Sequence, residues 1–139
     1  MKNQVLLRMA LGYLALVSAQ IGLWALLAPR SFYDGFPGMG RAWVAIDGPF
    51  NEHLVRDVGA LNLALVVVLV AAAVKLTKEL VTLAAAASLT WGVPHLLYHL
   101  FNTDGLATGD LIASLGGLAA FVAFAAALLV TGRNPAFTQ

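Results

Sequence analysis

Four long apolar stretches, separated by short polar segments, organise the chain. They run from about Val5 to Ala28, Leu54 to Val74, Leu80 to Leu100 and Leu111 to Val130. Arg8 interrupts the start of the first, and Pro29 stops it. Lys75 and Lys78 follow the second, and Thr131-Gly132-Arg133 closes the fourth. Each stretch approaches the roughly 20 residues that a bilayer's hydrocarbon core demands. In lipid an open strand leaves its backbone unpaired, so helix is the form such runs take. The pattern predicts an all-α fold, an integral membrane four-helix bundle with antiparallel neighbours. It forms one domain over residues 1–139, with spans at about 5–28, 54–74, 80–100 and 111–130 and an interfacial loop at 29–50.

Composition agrees. The chain is 60% hydrophobic and only 11% charged, against about 25% charged in soluble domains. A net charge of +1 without a basic cluster argues against nucleic acid as a partner. The absence of cysteine excludes disulfides, thiolate metal sites and thiol catalysis. Lys2, the following apolar stretch and Val17-Ser18-Ala19 resemble a secretory leader. Against that reading, Arg8 lies inside the apolar run, and the run continues to Ala28, so the first helix is retained. Lys2, Arg8, Lys75, Lys78 and Arg133 fall on one side of the expected membrane and Arg30, Arg41 and Arg56 on the other. The basic bias gives an N-in, C-in orientation. Six of the seven acidic residues, all except Glu79, fall on the outer side.

The candidate chemistry concentrates in two segments, Asn51-Glu52-His53-Leu54-Val55-Arg56-Asp57 and Pro94-His95-Leu96-Leu97-Tyr98-His99, which hold all three histidines. His53/Asp57 and His95/His99 are i, i+4 pairs, so each pair projects from one helix face. A short turn between spans two and three returns both segments to one leaflet, with Asp57 and His95 about 6 Å deeper than His53 and His99. Trp91, His95, His99 and Asn102 form a stripe on span three. Gln20/Trp24 and Asp110/Ser114 add polar positions at a similar level. Asn62 points away from His53 and is expected to hydrogen-bond between helices. Pro94 frees the carbonyl near Thr90 and is expected to kink span three. Small-xxx-small pairs such as Ser18/Gly22 and Ala113/Gly117 predict close helix packing. The segment from Pro29 to Phe50, rich in aromatic residues and glycine, is long enough to cover the mouth of the bundle.

Three chemistries fit these residues. A metal site would use His53, Asp57, His95 and His99, ligand types suited to zinc, iron or manganese. Glu52, Arg56 or Tyr98 would then serve as acid/base groups, supporting hydrolysis or redox chemistry. A metal-free site would use His53, Arg56, Asp57, Trp91, His95, Tyr98 and His99 to bind a quinone or another small lipid-like ligand, or to exchange protons. In the third reading the polar cluster is structural and the protein is a non-enzymatic membrane accessory. Bis-histidine haem fits less well, because Asp57 would lie beside the iron. The residues do not decide whether the protein is an enzyme.

Gly22-Leu23-Trp24-Ala25-Leu26-Leu27-Ala28-Pro29, the segment Asn51 to Asn62, and Pro94 to His99 resemble those of a group of small uncharacterised bacterial four-helix membrane proteins. That group is similar in layout to the DoxX-like superfamily. The resemblance implies a multi-pass protein of a bacterial cytoplasmic (inner) membrane. It also implies a link to quinone-dependent thiol or sulfur oxidation, as in some DoxX-like members, and carries over no catalytic residue. The expected function is therefore binding, with or without chemistry, of a metal, quinone or lipid-like molecule in an outward-facing His/Asp pocket. Expected partners are the lipid bilayer, a lipophilic ligand, and a membrane protein or a second copy of the chain.

Overall fold

A computed structural model describes residues 2–133. Within them the chain forms α1 (Lys2–Leu27), α2 (Pro29–Gly35), a short 3-10 helix (Ala45–Asp47), α3 (Glu52–Lys75), α4 (Lys78–Phe101) and α5 (Thr108–Arg133). The four long helices are each long and apolar enough to cross a membrane. They extend a few residues beyond the apolar runs because polar residues supply their ends. Asn51 Oδ1 accepts from Leu54 N at 3.2 Å and caps α3. Thr77 Oγ1 does the same for α4 through Leu80 N at 3.3 Å. Such caps satisfy first-turn N–H groups that have no partner within the helix. Leu76 adopts a left-handed conformation (φ 48°) and turns the chain directly from α3 into α4.

The connector at 29–50 is more structured than the loop expected there. Pro29 has no N–H with which to continue α1, but its fixed φ suits the first position of a new helix, and α2 starts on it. Pro94, expected to kink its span, sits inside an unbroken α4.

α1 packs most closely against α3, and α4 against α5. The α1–α3 contact is a backbone crossing. A Cβ on Gly59 would lie 2.5 Å from Leu26 N and 2.9 Å from Gly22 O, a distance only glycine tolerates. The interior divides into two apolar clusters. One joins all four long helices, through Leu11 and Leu14, Leu65 and Leu69, Val81 and Ala84, and Phe121 and Leu128. The other holds Ala25, Phe32 and Val55 with Trp24, Phe36 and Val44 around them, and draws on no residue of α4 or α5. The two helix pairs therefore share a core at one end and are separated at the end under the connector. The outer faces carry largely exposed Leu, Val and Ile, among them Leu16, Val67 and Val130. That surface suits a lipid bilayer rather than water.

Candidate functional site

A cavity of about 380 Å³ fills the space between the two helix pairs. The α4 stripe supplies three of its polar side chains. Trp91, His95 and His99 are spaced i, i+4, i+8, so one face of α4 presents all three. Trp91 stacks on His95 with centroids 4.8 Å apart, and His95 lies 4.9 Å from His99. Phe121 of α5 meets Trp91 edge-on at 5.1 Å and fixes that ring. His95 lines the cavity and is exposed. Ser114 of α5, only 7% exposed, lines the same space. Tyr13, Val17 and Ile21 form the α1 wall, and Leu54, Val55 and Val58 the α3 wall. Among the described residues no Lys or Arg lines the cavity, and Asp47 is the one Asp or Glu that does.

The connector closes one end. Trp43, Val44 and Asp47 line the cavity beside His95 and His99. Arg41 Nε holds Asp110 of α5 at 3.0 Å, and Tyr98 of α4 donates to Asp47 Oδ1 at 3.5 Å. Ile46 lies against Gly105 in the α4–α5 turn. Tyr33 donates to Gly48 O at 2.5 Å and fastens α2 to the 3-10 helix.

The residues expected to converge divide into separate groups. Trp91, His95 and His99 line the cavity, and Tyr98 sits at its edge. His53 and Asp57 pair with each other at 3.2 Å on α3, 83% and 54% exposed, outside the cavity. A helix advances about 100° per residue. With Leu54, Val55 and Val58 facing inward, His53 and Asp57 point roughly a third of a turn away. Arg56 donates to Glu52 Oε1 at 2.9 Å and to the carbonyl of Leu26, tying α3 to the last turn of α1. Glu52 and Arg56 thus join helix ends and do not reach the histidines of α4. The expected ligand set His53, Asp57, His95 and His99 is not assembled, and among the described residues no group of three His, Asp or Glu side chains is placed to hold a metal ion.

Other expected positions also differ. Asn62 is 2% exposed, but its amide donates to Val58 O within α3 at 2.9 Å rather than to another helix. Asn102 donates to Tyr98 O at 2.8 Å, capping α4 instead of extending the stripe. Gln20 is exposed, and Trp24 donates to Ser31 Oγ at 3.1 Å within the aromatic cluster of α2. Of the Asp110/Ser114 pair, only Ser114 reaches the cavity; Asp110 holds Arg41. Sequence reasoning missed the α1 wall. Its i, i+4, i+8 spacing was visible, but apolar residues at that spacing look the same whether they face a cavity, a helix or lipid.

No protein-family model, curated protein or solved structure matches the chain. The DoxX-like affinity expected from the sequence is therefore not shown.

Proposed function

We propose that this is a multi-pass membrane protein that binds a small lipophilic molecule between its two helix pairs. The observation that carries the reading is the apolar cavity with His95, His99 and Ser114 on its wall. Ligand sites are typically concave, mostly apolar and provided with a few converging polar groups. Ionisable side chains within a membrane bundle mark functional sites by default. An imidazole and a hydroxyl both donate and accept hydrogen bonds, so they suit a ligand with a carbonyl or hydroxyl at one end. A quinone is one such molecule. The volume lies near the low end of the 300–1,000 Å³ usual for ligand pockets, matching a head group and a short apolar body.

In this reading the long helices alternate in direction, with both termini on the cytoplasmic side and the connector outside. The positions of Lys2, Arg8, Lys75, Lys78 and Arg133 support that orientation. The test is solvent extraction of detergent-purified protein followed by mass spectrometry. An apolar species should be recovered in stoichiometric amount from the native protein and lost from His95→Leu. If both preparations return only the bulk lipid mixture in equal proportion, the binding reading fails.

A further inference from the structure

The cavity's walls and roof differ in how they are closed. The roof is fastened to both helices of the far pair, through Arg41–Asp110 to α5 and Asp47–Tyr98 to α4, and Ile46 packs on the turn between them. Its inner surface includes Trp43 and Val44. The far end is plugged by the cluster shared among all four helices, and Tyr13 meets Phe124 of α5 there at 4.9 Å. The flanks have no comparable closure. Leu54 and Val58 on α3 line the cavity yet remain 59% and 42% exposed. Ala113 and Gly117 on α5 also line it and are exposed. A Cβ on Gly117 would meet nothing within 4 Å. Among the described residues the cluster beneath the roof holds none from α4 or α5, so it packs α1, α3 and the connector without bridging to the far pair.

We infer that the cavity takes its ligand sideways from the bilayer, and that the ligand is a single-chain lipid with an uncharged, hydrogen-bonding head. Building on the ligand-binding reading above, this adds the ligand class and its route. The exposed flank residues are apolar and lie on helices that contact lipid, so a membrane-dissolved molecule reaches them without leaving hydrocarbon. An anionic head would find no Lys or Arg among the described residues of the wall and would face Asp47. A hydroxyl or ester head finds His95, His99 and Ser114. The cavity holds the head and the first carbons, and the remaining chain leaves between the helix pairs into lipid. The connector is then a fixed roof, not a gate.

The probe is a monoacylglycerol carrying a photoactivatable diazirine on the first carbons of its chain, added to protein in phosphatidylcholine vesicles. Label on peptides spanning Trp91 to His99, displaced by unlabelled monoacylglycerol, reports occupancy. The roof is locked with Ile46→Cys and Gly105→Cys, since a Cβ on Gly105 would lie 3.6 Å from that of Ile46, inside the roughly 3.5–4.5 Å range of disulfides. The native chain has no cysteine to interfere. Gly105 has φ +86°, which strains any side chain there, so oxidised and reduced forms of the same variant are compared with each other. Equal labelling rates in the two forms, with competable label reduced about tenfold in Gly117→Leu, support lateral access. Labelling of the reduced form that is lost on oxidation puts the route through the roof and overturns the inference, leaving the binding site intact. Absence of competable label on α4 in the native protein overturns the lipid assignment, and a solvent extract of the detergent-purified protein that holds only the bulk lipid mixture removes the binding reading as well.

Discussion

Gly59 and Gly117 show how one residue type serves opposite purposes. At Gly59 two backbones touch, and a methyl group has no room beside Leu26 N. At Gly117 the space is open. Gly59→Ala should lower stability by about 1–3 kcal/mol, the usual cost of overpacking. Gly117→Ala should be neutral or stabilise by up to about 1 kcal/mol through helix propensity. Thermal unfolding of both variants in one detergent measures the contrast, and equal losses would contradict the crossing. Asn62 is a different case. Among the described residues its amide donates only within its own helix, and its Oδ1 has no hydrogen-bond partner. Since an unsatisfied buried acceptor destabilises, Asn62→Leu should cost less than about 1 kcal/mol. A loss of several kcal/mol in the same unfolding assay would mean that Asn62 bonds across to another helix.

The polar ends of the helices divide their work between fastening and binding. Arg56 sits 44% exposed, yet it reaches from α3 to the Leu26 carbonyl in the last turn of α1 while also holding Glu52. A cation near a helix C-terminus contributes about 0.3–1 kcal/mol when exposed, so Arg56→Ala should lower the unfolding midpoint modestly without changing ligand recovery. His53→Ala should change neither, because that side chain stands outside the cavity; loss of bound ligand in His53→Ala would return it to the site. The Arg41–Asp110 pair is also partly exposed, at 38% and 25%, and pairs of this kind contribute about 0.2–1 kcal/mol. Its consequence is local. Arg41→Ala should speed hydrogen exchange across residues 36–50 far more than it shifts global stability. Exchanging the two residues, Arg41→Asp with Asp110→Arg, should restore much of the protection.

Over the whole molecule, the two-pair arrangement places a packed plug at one end and a ligand-sized gap at the other. The proposed orientation can be read from single cysteines in an otherwise cysteine-free chain. Lys78→Cys at the start of α4 and Asp104→Cys in the α4–α5 turn should react with a membrane-impermeant maleimide from opposite sides of sealed vesicles. Labelling of both from the same side would exclude the alternating arrangement and, with it, the connector as an outer roof.

Hydrophobicity and end chemistry along the chain determined the four long helices, because both are local properties. Runs of Leu, Val and Ala fixed their number and approximate ends, and Asn51, Thr77 and Pro29 sit where helices start. The prominence of Trp91, His95 and His99 on one face was also legible, since i, i+4 spacing on a helix is a local geometric fact. Which helices pair most closely, and which way α3 is rotated about its axis, only the tertiary structure decided. The Gly22–Gly59 crossing sets that rotation, turning Leu54, Val55 and Val58 inward and leaving His53 and Asp57 outside. A helix with apolar residues on every side carries no strong moment to announce its inner face, so the separation of the two histidine-bearing segments became visible only once the backbones were packed.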